Sequence, residues 1–108
     1  MKLMTKEILR KAKKTPLYST EDAKFPKDVL VKYFFPAGRW TWYATEYDGD
    51  DTFFGYVVSG IDPAYDEWGY FSLSELKKQT GMFGLKVERD MFFENRQIDQ
   101  NGNILKED

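Results

Sequence analysis

Apolar and polar positions along this 108-residue chain follow two rhythms. Met4, Ile8 and Ala12 recur on one side of a helix over residues 5–14, which Thr5 caps and Pro16 ends. From residue 28 the rhythm becomes alternation. Residues 28–35 predict a strand with Val29, Val31, Tyr33 and Phe35 on one face and Lys32 on the other. Pro36-Ala37-Gly38 turns the chain back, because proline presets one turn dihedral and glycine permits another. Residues 40–46 and 53–58 predict a strand pair around the turn Asp48-Gly49-Asp50-Asp51, and Gly55 marks a bulge or a close approach. A short strand follows at 68–71. Ser72 and Glu75 then match a capping box, opening a helix that runs to Thr80 and stops at Gly81. A last strand is predicted over 85–93.

The expected fold is therefore α+β, in the order α-β-β-β-β-α-β. It is one small domain with a mostly antiparallel sheet of about five strands and two short helices packed on one face. Residues 1–94 form the domain. Residues 95–108 are polar, contain Asn101-Gly102-Asn103, and are expected to be a flexible tail.

Alternation along 40–46 puts Trp40, Trp42, Ala44 and Glu46 on one face and Thr41, Tyr43 and Thr45 on the other. Two tryptophans on one face together bury roughly 300–500 Å². They are expected to be structural, under the helices, although tryptophan also anchors recognition surfaces. Arg89 falls on an apolar row with Val87, Met91 and Phe93, where an unpaired guanidinium is costly. Glu46 is the expected partner of this structural arginine.

Composition narrows the chemistry. There is no cysteine and no histidine, which removes disulfides, thiolate metal sites, thiol catalysis and the commonest general base. No apolar run reaches the roughly 18 residues of a membrane span, and no secretory signal pattern opens the chain, so a cytoplasmic protein is expected. Phosphate-binding glycine loops, dinucleotide fingerprints and nucleophile elbows are missing. The acids single out no pair for acid–base work, so no catalytic residue is nominated and no enzyme is expected.

Net charge is only −2, but its distribution is uneven. Between Trp40 and Leu76 there is no lysine or arginine, and eight acids fall there. Glu46, Asp48, Asp50, Asp51, Asp62, Asp66 and Glu67, with Tyr47 and Tyr65 among them, form the candidate acidic partner-binding face. The first helix instead carries Lys6, Arg10, Lys11, Lys13 and Lys14, a candidate nucleic-acid-binding surface. The Asp48–Asp51 turn lacks the twelve-residue calcium-loop pattern, so no cofactor and no metal site are assigned. A weakly held Mg²⁺ or Ca²⁺ between Asp48, Asp50 and the Asp62/Asp66 loop is left open.

Four blocks, WTWYATE at 40–46, FFGYV at 53–57, GYFSLSEL at 69–76 and GLKVERDMFF at 84–93, together resemble one family. So does the leading helix with PLYSTED at 16–22. The family is the short phage- and plasmid-borne one known as domain of unknown function 2958. The resemblance implies a mobile genetic element as the setting and assigns no reaction. The acidic segment at 62–68 is longer and more charged than the family pattern leads one to expect. Setting and charge together lead to an expected protein-interaction module. Its acidic face would occupy the basic nucleic-acid-binding surface of a partner protein, as an anti-CRISPR-like anti-defence inhibitor does. The alternative is a nucleic-acid-binding accessory protein using the basic helix and exposed aromatics.

Overall fold

The computed structural model describes residues 2–105. Helix α1 (Lys6–Ala12) is capped by the Thr5 hydroxyl, which accepts from Ile8 N at 3.2 Å. The chain then lays down β1 (Lys27–Asp28), β2 (Val31–Phe34), β3 (Thr41–Tyr47), β4 (Thr52–Val58) and β5 (Glu67–Ser72). Helix α2 (Leu73–Lys78) follows, capped by Ser72 Oγ accepting from Glu75 N at 3.0 Å. The last strands are β6 (Glu88–Arg89), β7 (Gln97–Ile98) and β8 (Ile104–Leu105).

The main sheet is antiparallel in the order β5-β4-β3-β2-β6. An α+β fold with a five-stranded antiparallel sheet and two helices is thus present as expected. Ile8 and Ala12 from α1 and Leu73 and Leu76 from α2 share one buried cluster with Val31, Tyr33, Trp42, Ala44, Phe53 and Phe71. Tyr33 is fully buried, and its hydroxyl donates to Leu3 O at 2.6 Å. Burial, with the nearby Tyr47, pushes its phenol well above the ordinary range, against the pull of the Arg89 guanidinium.

Two predicted strands are shorter than their alternation suggests. The 28–35 strand divides at Val29-Leu30, where Val29 N turns to Arg96 O and Leu30 N to Ala44 O, so β1 and β2 join different sheets. The 85–93 strand keeps only β6, because Asp90 caps a turn by accepting from Phe92 N. Gly81 is also not the left-handed stop of α2. A Cβ there would lie 2.3 Å from the Ala37 Cβ, so close approach accounts for it.

The larger correction concerns residues 95–105. In place of a loose tail the chain forms β7 and β8, which build a three-stranded sheet with β1 in the order β1-β7-β8. Ile98 is fully buried. Trp68 Nε1 donates to Gln100 O at 3.0 Å, and Gly102 lies so near the Tyr56 ring that a Cβ would sit 2.2 Å from it. This segment covers the aromatic face of the main sheet that the helices leave bare. Residues 106–108 of the expected tail lie outside the described residues.

Candidate interaction site

A single extra residue decides where the acidic segment goes. Ala44 pairs with Gly55 but Glu46 pairs with Phe54, so Thr45 is a β-bulge. Gly55 permits it, since a Cβ there would sit 1.9 Å from the Tyr43 carbonyl oxygen. The bulge reverses the alternation beyond it. Glu46 therefore leaves the face of Trp42 for the opposite one, and Tyr47 turns into the core against Phe53, with ring centroids 4.3 Å apart. Neither is part of an exposed face: Glu46 and Tyr47 are each 2% exposed. Glu46 accepts from Tyr18 N at 2.8 Å, Thr20 N at 2.9 Å and the Thr20 hydroxyl. The expected Glu46–Arg89 pair does not form, because the two lie on opposite faces. Arg89 Nε instead donates to Lys2 O at 3.1 Å and holds the N-terminal segment.

The remaining acids separate into two groups. Asp48, Asp50 and Asp51 lie in the β3–β4 turn, and Asp62, Asp66 and Glu67 beyond the far end of β4. Seven residues of strand put roughly 20 Å between them. Asp48 accepts from Asp50 N, Asp51 N and Thr52 N at 2.8, 2.9 and 3.1 Å. Burial raises its carboxyl, but these backbone donors outweigh burial and hold it below the ordinary carboxylate value. Asp51 accepts from Ser74 N at 2.8 Å and the Ser74 hydroxyl at 2.7 Å, clamping α2 to the turn. Asp50 takes part through its backbone alone, its N–H donating to Asp48 and its carbonyl accepting from the Tyr47 hydroxyl at 2.5 Å, and its side chain is exposed.

At the other end, Asp62 caps the short 3-10 turn Pro63–Tyr65 through Ala64 N at 2.9 Å, and Asp66 accepts from Ser59 N at 2.8 Å. The four aspartates named for a hard cation are thus divided between the two ends. Among the described residues no three carboxylates are grouped to hold a metal ion.

The basic residues of α1 sit beside the acidic turn. Lys6, Arg10 and Lys13 line a cavity of about 400 Å³ with Pro16, Tyr47 and Asp48. Lys11 pairs with Glu7 at 3.7 Å, and Lys14 is exposed. A polyanion approaching this helix meets Asp48 in the same cavity.

The far end has a different construction. Trp40 and Trp42 stack with centroids 6.3 Å apart and planes 20° from parallel. Trp42 is buried in the core, whereas Trp40 is half-buried and faces a groove of about 580 Å³. Tyr65, Glu67, Tyr70 and Glu75 also line that groove, and among the described residues no lysine or arginine does. Ile61 and Tyr65, which also line it, are 73% and 67% exposed. Gly69 leaves open space above the floor. The groove runs along β5, whose outer edge pairs with no other strand among the described residues. The sequence reading named Tyr65 and Glu67 but placed the tryptophans apart from them and missed Glu75 and Ile61. The signal available was Gly69, a residue without a side chain between two aromatics of a strand.

No helix among the described residues is long and apolar enough to cross a membrane. The family model described as "Protein of unknown function (DUF2958)" matches residues 3–99, and the chain belongs to that family. No curated protein and no solved structure matches the chain.

Proposed function

We propose that this member of the DUF2958 family is a non-enzymatic protein-interaction module whose groove along β5 takes a basic, nucleic-acid-binding partner. In the mobile-element setting that its sequence pattern suggests, the consequence is anti-defence: an inhibitor that occupies the surface where a host nuclease holds nucleic acid. The observation that supports this is the groove of Trp40, Tyr65, Glu67 and Glu75, which combines aromatic anchors with carboxylates and has no base among the described residues of its lining. Aromatic residues supply buried area at low entropic cost, and charge complementarity sets partner choice and encounter rate. Asp48 and Asp51 are engaged by the fold itself and contribute background potential.

The test is capture of partners from host extract with wild-type protein, with Glu67→Lys/Glu75→Lys, and with Asp50→Lys, which lies in the β3–β4 turn outside the groove lining. The expected result is a basic partner that added nucleic acid releases. The double reversal should lower its recovery at least about tenfold, and Asp50→Lys should leave it unchanged. Equal recovery by all three proteins rejects the groove. The competing reading, direct nucleic-acid binding by Lys6, Arg10 and Lys13, predicts steep salt-dependent binding of labelled single- or double-stranded nucleic acid to the purified protein. None is expected, given Asp48 in the same cavity.

A further inference from the structure

A second, smaller cavity lies on the other side of β5 and shares only Tyr70 with the groove. It has a volume of about 170 Å³ and is lined by Glu21, Phe25, Lys27, Glu46, Phe54, Trp68 and Tyr70. That is well under the 300–1,000 Å³ of sites for drug-sized ligands, so it suits a small headgroup. The rings form its walls at several angles. Phe25 tilts against Trp68 at 5.4 Å, Phe54 stacks on Trp68 at 6.0 Å, and Tyr70 meets Phe54 edge-on at 5.0 Å. Tyr70 and Phe25 are 54% and 38% exposed, which leaves the mouth open to solvent.

Glu46 supplies buried negative charge at this cavity. It also builds the wall opposite β5, since its carboxylate receives the backbone N–H groups of Tyr18 and Thr20 and the Thr20 hydroxyl. Tyr18 adopts a left-handed conformation there, with φ +69°, uncommon for a residue other than glycine. Its ring meets Tyr70 edge-on at 6.2 Å. The loop tied down in this way carries Glu21 and Phe25.

Lys27 already places a cation in this cavity. Its Nζ lies 4.8 Å from the Phe25 ring centroid and 5.9 Å from that of Trp68, within the range of cation–π attraction. We propose that this is a cage for an alkylated ammonium group, with Lys27 as its intramolecular occupant that such a ligand displaces. Ring faces and buried charge attract the cation. The hydrogen-bonding capacity of Glu46 is largely used on the loop, which favours a group with few or no N–H donors over a guanidinium with five. The same chemistry comes from a choline-type small molecule or from a methylated lysine side chain.

The test follows the Trp68 indole N–H resonance by NMR while tetramethylammonium chloride is titrated into the full chain, wild type and Lys27→Gln. A saturable shift is expected in both, with about tenfold tighter binding once Lys27 is neutralised. Phe25→Leu, which keeps apolar bulk and removes the ring, should weaken binding several-fold in the Lys27→Gln background. The uncharged carbon isostere of choline, 3,3-dimethylbutan-1-ol, should produce no saturable shift. Choline and a trimethyllysine peptide, run in parallel, assign the ligand to the source that binds tighter. No saturable shift with tetramethylammonium in either protein overturns the cage, and so does an equal response to the uncharged isostere. Lys27→Gln binding no tighter than wild type overturns the role of Lys27.

Discussion

The two ends of β4 carry acids in similar numbers and use them in different ways. At the β3–β4 turn the carboxylates of Asp48 and Asp51 collect backbone and hydroxyl donors, and the turn is clamped to α2. At the β4–β5 end Asp62 and Asp66 do the same work, but Glu67 stands in an aromatic groove that runs along β5 to Glu75, next to the Ser74 that Asp51 holds. A carboxylate held by several N–H groups is a structural part whose charge is incidental. One in a groove with a half-buried tryptophan, and with no base among the described residues of its lining, is what the proposed partner would meet. Charge counted along the sequence does not separate these cases; hydrogen bonding does.

The sharpest way to break the contrast is Glu46→Ala. Removing a buried carboxylate leaves the Tyr18 and Thr20 N–H groups without their acceptor, and a loss of about 3 kcal/mol is expected in urea unfolding. A loss below about 1 kcal/mol would show that the 18–20 loop finds other partners. Next comes Asp48→Ala, which should cost about 1–2 kcal/mol for a carboxylate capping three backbone N–H groups, whereas its neighbour Asp50→Ala should stay within about 0.5 kcal/mol. Equal effects at the two positions would contradict the division of roles within the turn.

Acid should act at the turn end. The Asp48 carboxyl is depressed in the folded protein below its ordinary value of 3.8, so its contribution is fully present above that value. It is lost as pH falls through the lower folded value. Stability measured from pH 5 to pH 2 should therefore fall less steeply in Asp48→Asn than in wild type. The smallest effect on stability belongs to Glu67→Gln/Glu75→Gln, within about 0.5 kcal/mol by urea unfolding, because exposed side chains without a structural contact rarely matter more. A large loss there would mean that the groove rim is part of the fold.

Much of the architecture was legible in the chain. Thr5 and Ser72 announced their caps, and both form them. The alternation of Val31 and Tyr33 pointed to the core face, where both lie buried. The face assigned to Glu46 was misread because a bulge adds one residue without any marker at Thr45 itself; the signal lay across the ladder, at Gly55. The second layer was missed for a different reason. A two-residue strand such as β7 has no periodicity to detect, and Ile98 is a lone apolar residue in a polar stretch. Its trace was in β4, where Phe53, Phe54, Tyr56 and Val57 place apolar groups on both faces and so call for cover on each side. The cage escaped notice because Phe25, Glu46 and Trp68 meet only through loop packing between distant parts of the chain.

The bulge at Thr45 gives β3 a parity. Before it, even-numbered residues face the helices; after it, odd-numbered ones do. One strand thereby serves two layers, giving Trp42 to the first and Glu46 to the second. Flattening the strand here with Thr45 retained would restore a uniform count and exchange the destinations of Glu46 and Tyr47, driving a carboxylate among apolar side chains and a core tyrosine outward. Insertions within 41–47, and deletions there other than of Thr45 itself, therefore threaten the groove, the loop anchored on Glu46 and the helical core together, while substitutions at its half-buried positions, Thr41 and Tyr43, touch one layer at a time.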